Sequence, residues 1–452
     1  MIIYGRRSRV PPALLLKGKP VNRFATYFLK KFKPPLETLL RFLKWTLISA
    51  AVGVVTGLIG SAFHYALEMV GELRVSYPAL ILWLPVAGLV IAFLYHVTGM
   101  KNDRGMTTVM RSVRRGEGVP LVTAPLIFVS TVLTHLFGGS AGREGAALQL
   151  GAGVGSKLGR LFGFSSSDLR IMLLCSMAGT FSALFGTPLT AVFFSIEFIS
   201  VGVIYYSGIY SCIVSSVVAL SLSRLLSVSH AAYSLVGLGR ITPTELLATL
   251  ALGILLAVLG ILFCIALHGG EQLFRLLLPW RYLRIFLLGA LIVFLTVQSG
   301  TTDYNGASVP LLESALGGEA RPYDFALKLL FTVLTISAGY RGGEIVPTFC
   351  IGATFGVLVS PMLGLPAELA AALGLVGLFA AVTNAPIASI LLAFELFGGE
   401  RMVSFALVSI ICFLFSGNYS LYLGQTFVFS KRLSDFDGKG ISSLLDSDNR
   451  QD

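Results

Sequence analysis

The chain has 452 residues, 55% of them hydrophobic and only 13% charged, with a mean hydropathy of +0.82. A soluble protein carries about 25% charged residues, so this composition excludes a soluble globular domain and points to an all-α polytopic membrane protein. The formal net charge of +11 is unevenly placed, and its location says more than its size.

In chain order, residues 1–44 form a basic segment. Eleven Lys or Arg (Arg6, Arg7, Arg9, Lys17, Lys19, Arg23, Lys30, Lys31, Lys33, Arg41 and Lys44) face one acid, Glu37. Beside a first apolar span, such an excess predicts a cytoplasmic N-terminus rather than a nucleic-acid contact. The basic stretch is too long for a cleavable signal peptide, and no small-residue cleavage site follows a short apolar core. Apolar runs then recur near 45–70, 78–98, 121–138, 171–203, 208–228, 243–268, 283–298, 325–339, 369–397 and 403–415. Several are interrupted by Gly or Pro. A polar, Ser- and Asp-rich tail, 431–452, is expected at the cytoplasmic end with no regulatory domain.

Three motifs occur twice. "RGMTTVMRSVRRGEG" from Arg104 has a weak counterpart in "NGASVPLLESALGGE" from Asn305. "SAGREGAALQLGAGVG" from Ser140 returns as "SAGYRGGEIVPTFCIGATFG" from Ser337. "FGTPLTAVFFSIEF" (185–198) returns as "VTNAPIASILLAFELF" (382–397), pairing Pro188 with Pro386 and Glu197 with Glu395. The order and near-constant spacing divide the chain into a first membrane repeat, 45–230, and a second, 231–430. Duplicated halves with interrupted helices are the build of secondary transporters, in parallel or inverted arrangement. A helix broken inside a membrane leaves free backbone N–H groups, tolerable only where they line a cavity or meet a ligand, and suited to an anion.

No motif calls for a cofactor or metal. Cys175, Cys212, Cys264, Cys350 and Cys412 fall singly in apolar runs and read as packing residues. His64, His96, His135, His230 and His268 are scattered, with no metal-ligand spacing. Ser140 and His135 are close in sequence, but no GxSxG surrounds the serine, so an intramembrane protease is disfavoured and no enzyme is expected.

The stretch "GGSAGREGAALQLGAGVGSKLGR" closely resembles the GREGP segment of CLC chloride channels and proton antiporters. Gly105-Met106 stands where that family has GSGIP, "GGEIVP" (342–347) where it has GxFxP, and "SGNYSLYLGQ" (416–425) where it has a pore tyrosine. The resemblance covers about residues 45–430. It implies a CLC fold of two inverted repeats with broken helices around a central anion site. It also implies a homodimer in the cell (inner) membrane, with one pathway per subunit and both termini cytoplasmic.

By this resemblance Glu144 is the gating glutamate. A carboxylate on a glycine-flanked turn occupies an anion site as a tethered competitor and leaves when protonated. The bland alternative is a salt bridge with Arg143, which otherwise anchors the loop or attracts anions. The anion-binding backbone is expected at Gly142, Gly145, Gly343, Ile345 and Val346, with Tyr422, or its rival Tyr419, supplying a phenol.

Three departures direct the specificity reading. Met106 replaces a serine donor of the chloride members, as in the CLC-F fluoride/proton antiporter branch. Glu344 occupies an apolar slot, again as in that branch, with a structural acid capped by Arg341 as the alternative. Phe198 replaces the inner glutamate of the chloride/proton antiporters, leaving Glu344 as the substitute acid. One feature opposes the CLC-F assignment: Val346 stands where that branch carries a threonine, and Thr348 is expected to face elsewhere if a helix starts at Pro347. Glu197 and Glu395 read as structural acids at helix ends. Proton-coupled fluoride export is therefore expected, with chloride/proton antiport or a passive chloride channel as the alternative. The implied partners are fluoride or chloride, protons and the lipid bilayer.

Overall fold

The computed structural model describes residues 21–235, 240–429 and 431, with side chains from residue 38 onward. The charge-bearing residues before 21 and the tail beyond 431 lie outside the described residues. The chain divides into two units, Met1–Ile48 and Ser49–Asp452. The candidate site lies within the second.

Sixteen α-helices occur among the described residues. They are α1 (Val21–Ser76), α2 (Leu84–Val97), α3 (Met106–Arg115), α4 (Thr123–Leu136), α5 (Glu144–Leu161), α6 (Ser166–Phe185), α7 (Pro188–Glu197) and α8 (Ile209–Leu225). After them come α9 (Pro243–Leu277), α10 (Arg281–Ser299), α11 (Val309–Leu316), α12 (Asp324–Ala338), α13 (Ile345–Leu363), α14 (Ala367–Thr383), α15 (Pro386–Phe397) and α16 (Met402–Phe415). Two-residue strands β1 (Ser200–Val201) and β2 (Thr426–Phe427) pair in parallel. Helices α9–α16 follow the pattern of α1–α8 element by element. The duplicated motifs fall on α3 and α11, on the starts of α5 and α13, and on α7 and α15.

Two of the long apolar runs are split for local reasons. Within 171–203, α6 ends at Gly186 in the left-handed region (φ 75°), and Pro188 opens α7. Within 369–397, α14 ends at Asn384 (φ 57°), and Pro386 opens α15. Glycine and asparagine tolerate that conformation, and proline suits a first helical position because its missing N–H has no partner to lose. Helix α7 has 10 residues. At 1.5 Å per residue it reaches only about 15 Å, half a bilayer. Seven helices among the described residues are long and apolar enough to cross a membrane, and five apolar ones are shorter.

The interior is built from α5, α6, α13 and α14, packed in the pairs α5–α6 and α13–α14. Small residues let their backbones close up: a Cβ at Gly352 or Gly356 of α13 would collide with carbonyls of α14, and one at Gly155 of α5 with Ser176 of α6. Large apolar side chains of α9, such as Val258, Leu262 and Ile265, are exposed outward. All five cysteines are buried and free.

The two repeats touch reciprocally. The Glu197 carboxylate, at the end of α7, accepts from Ile387 N (3.1 Å) and Ala388 N (2.9 Å) at the start of α15. The Glu395 carboxylate, in α15, accepts from Leu189 N (2.7 Å), Thr190 N (2.9 Å) and Thr190 Oγ1 (2.6 Å) at the start of α7. Contacts that run from i to j and from j to i are the mark of a two-fold relation. Each acid satisfies orphan N–H groups of the other repeat's half-helix.

Candidate functional site

The starts of α5 and α13 meet head to head. Gly142 and Gly343 form an antiparallel backbone pair, with Gly142 N donating to Gly343 O at 2.6 Å and Gly343 N to Gly142 O at 2.8 Å. A side chain fits at neither position. A Cβ at Gly142 would collide with the Glu144 carboxylate, and one at Gly343 would lie 2.8 Å from Gly145 N. Two helix N-termini, one from each repeat, are thereby held at a common point.

Glu144 fills that point. Its Oε2 accepts from Arg143 N (3.1 Å) in the first repeat and from Val346 N (3.2 Å) in the second. The residue is 0% exposed, and Oε1 has no partner. A carboxylate oxygen therefore occupies N–H groups of both helix ends, donors of a kind that suits a negative charge. The Glu144–Arg143 ion pair does not form among the described residues. The Arg143 guanidinium lies over the Phe185 ring, 5.2 Å from its centroid.

The other expected residues gather around this point. Gly105 (φ 54°) turns the chain into α3, and Met106, 7% exposed, is its first residue. A Cβ at Gly105 would lie 3.5 Å from Gln149 Oε1, so the start of α3 lies against the second turn of α5. Ile345 and Val346 are buried in the first turn of α13, and Gly145 faces the Gly343 backbone across the break. Tyr422 is buried with its hydroxyl unpartnered, whereas Tyr419 is 44% exposed. Of the two tyrosines, Tyr422 is the one with a buried, free hydroxyl. Its ring meets Phe198 edge-on at 5.6 Å. Phe198 is wholly buried, so aromatic packing fills its position. Tyr422 lies within electrostatic reach of both Glu344 and Glu144.

Two expectations are corrected. Helix α13 starts at Ile345, two residues before Pro347, and Thr348 Oγ1 donates back to Glu344 O (2.8 Å). Proline is accommodated because it sits in the first turn, where its absent N–H breaks no bond. Arg341 does not cap Glu344. Its guanidinium stacks on Tyr95 at 4.2 Å.

Sequence reasoning missed the groups that hold the site together. Lys328 of α12 is wholly buried, and its Nζ donates to Ser140 Oγ (2.8 Å), Gly306 O (2.8 Å) and Tyr304 O (3.2 Å). Ser140 also meets Thr332 Oγ1 (3.0 Å), and its N–H meets Thr335 Oγ1 (3.0 Å). The turn before Glu144 is thus tied to the second repeat. A lysine inside the apolar run 325–339 was itself the signal for this role. Lys328→Met should lose about 1–3 kcal/mol through orphaned buried partners. Thermal unfolding in detergent would show it as a lower Tm; an unchanged Tm would dismiss the clamp. Gln425 plays a similar part for the tyrosine loop, its Nε2 donating to Phe198 O (2.6 Å) and Thr383 O (2.8 Å).

Known proteins share the sequence and the fold of this chain. The voltage gated chloride channel family model matches residues 87–417. A chloride/fluoride channel protein of Pseudomonas syringae pv. tomato is 32% identical over 415 residues, 89% of this chain and 91% of that protein. The H(+)/Cl(-) exchange transporter ClcA of Vibrio cholerae is 27% identical, covering 83% of this chain and 85% of that protein. The crystal structure of a CLC-type fluoride/proton antiporter superposes with a TM-score of 0.82 at 32% identity, over 85% of this chain and 98% of that one.

Proposed function

Since the chain belongs to the voltage gated chloride channel (CLC) family, we propose that it exports fluoride in exchange for protons, with Glu144 as the gate. One observation carries the reading: a single Glu144 oxygen accepts backbone N–H groups from both repeats. The ionised carboxylate competes with the anion for those donors. Taking up a proton removes its charge, the side chain leaves, and an anion takes its place. Return of the side chain expels the anion and releases the proton. One group thus exchanges one charge for the other. The chemistry suits fluoride detoxification, because HF crosses membranes, dissociates at neutral pH and accumulates inside as the anion.

Met106 and Glu344 support fluoride over chloride. The first removes a hydroxyl donor, and the second places a carboxylate at the start of α13. As a neutral acid it donates a hydrogen bond, from which the small, strongly hydrated fluoride gains more than chloride does. Glu344 also supplies an acid in a site where Phe198 stands in place of the inner glutamate. Phe198 equally favours a second reading, a passive chloride-conducting channel with no inner proton path. Purified protein in liposomes loaded with fluoride or chloride, monitored with anion and proton electrodes, separates the readings. Fluoride efflux with stoichiometric proton uptake supports antiport. Anion efflux without protons supports the channel.

The assembly belongs to the same proposal: a homodimer in the cell (inner) membrane, one pathway per subunit, both termini cytoplasmic. Cysteines placed at Ser8 and Ser447, both outside the described residues, should resist an impermeant thiol reagent in intact cells. Labelling at either would show the topology to be wrong.

A further inference from the structure

We propose that Arg341 is a further anion-contacting residue, whose guanidinium supplies the hydrogen bonds that Met106 cannot. This rests on the reading of the chain as a small-anion transporter and extends it to the residue that sets anion affinity.

The position of Arg341 follows from the break before α13. Its backbone N donates to Thr134 Oγ1 of α4 (3.3 Å), and Gly342-Gly343 then lead into the paired strand at Gly142. From there the side chain reaches the start of α3, where Nη1 would lie 3.8 Å from a Cβ placed at Gly105. The guanidinium carbon stands 4.2 Å from the centroid of Tyr95, a ring that is 1% exposed. Packing on an aromatic ring restrains the guanidinium plane and leaves its N–H edges available to a ligand.

Those edges lack a partner. Arg341 Nε is buried with no hydrogen bond, and no carboxylate lies within 4.0 Å of the guanidinium among the described residues. Half-buried and without a counter-charge, the guanidinium keeps a free donor that an anion can complete. The surrounding groups are incomplete in the same way. The Tyr422 hydroxyl, in a residue 4% exposed, is a second buried donor without a partner. Its loop abuts α3: a Cβ at Gly424 would lie 2.7 Å from Thr107 Cα, and Arg114 Nη1 donates to Gly424 O at 2.7 Å. Gln149, also 4% exposed, donates from Nε2 to Gly145 O (3.1 Å) and leaves Oε1 free beside Gly105. The Arg341 guanidinium therefore stands at the start of α3, the end at which helix N–H groups also favour an anion, and the loop that carries Tyr422 packs on the same helix. A compact, strongly hydrated halide such as fluoride gains most from a charged donor there, because it gives up the most water on entry.

The test measures initial fluoride efflux from proteoliposomes against internal fluoride, for wild type, Arg341→Gln and Arg341→Lys, with chloride efflux measured in parallel. Loss of a charge-assisted hydrogen bond should raise the half-saturating fluoride concentration about ten- to a hundredfold in Arg341→Gln. Arg341→Lys, which keeps the charge but not the planar fork, should fall between. The fluoride-to-chloride rate ratio at low anion should drop in the same order. A purely structural clamp on Tyr95 predicts something else: a lower Tm and lower maximal rates for both halides, with half-saturation unchanged. Wild-type half-saturation in both variants overturns the proposal. If Arg341→Gln aggregates on size exclusion, Arg341→Lys decides alone. A wild-type protein that moves no halide overturns the transport reading itself, an outcome distinct from indifferent variants of a competent transporter.

Discussion

Glu144→Gln is expected to abolish proton movement while anion movement continues. The amide has nearly the shape of the acid but cannot ionise, so it no longer exchanges a charge with the site. It is also a weaker acceptor for Arg143 N and Val346 N, the two donors that hold Oε2. A hydrogen bond to an ionised group contributes about 1.5–3 kcal/mol, so the side chain should leave the site about ten- to a hundredfold more often. Anion flux in the variant should therefore be equal to or faster than wild type, with proton uptake at the level of empty liposomes. The measurement is simultaneous recording with anion and proton electrodes under an anion gradient. Proton uptake at the wild-type rate in Glu144→Gln would falsify the gating assignment.

The second large effect is expected at Glu344. Its carboxylate stands at the start of α13, within electrostatic reach of Glu144, and Arg341 does not neutralise it as an ion pair. If it passes a proton or donates to fluoride as a neutral acid, Glu344→Gln should reduce fluoride efflux to near background, because an amide cannot cycle a proton. Met106→Ser is the complementary change. It returns a hydroxyl to the first position of α3 and should raise chloride transport relative to fluoride. A gain of about 1.5–3 kcal/mol for a hydrogen bond to a charged partner corresponds to about ten- to a hundredfold in that ratio. Normal fluoride efflux in Glu344→Gln removes its role. A wild-type protein that passes chloride as fast as fluoride removes the fluoride preference, while the family assignment and the part played by Glu144 stand.

The candidate site was legible to different depths. The duplicated SAG motifs announced two broken helices, because glycine runs flanking a charge inside an apolar stretch have no other stable use in a membrane. Glu144, Glu344 and Met106 were singled out by that context. Tyr422 and Tyr419 were not distinguishable in the sequence. The structure separates them, one buried with a free hydroxyl and the other 44% exposed. Arg143 and Arg341 invited pairing with their neighbouring acids, since opposite charges adjacent in a sequence suggest it. Both guanidinium groups instead lie over aromatic rings, Phe185 and Tyr95, supplied by other helices.

Membrane class, repeat and helix breaks were readable before any folding. Those properties depend on composition and on residues close along the chain: Gly186 and Asn384 ending helices, Pro188 and Pro386 opening them. Which free backbone groups meet emerges only in the folded chain. The Gly142–Gly343 pair, the Glu144 bond to Val346 N, and the exchange of caps between Glu197 and Glu395 join positions about two hundred residues apart. Lys328 reaches Ser140 across the same span. No local preference encodes such contacts. They form because an apolar interior leaves every unpaired N–H or charge costly, and folding one repeat against the other brings the missing partners within reach.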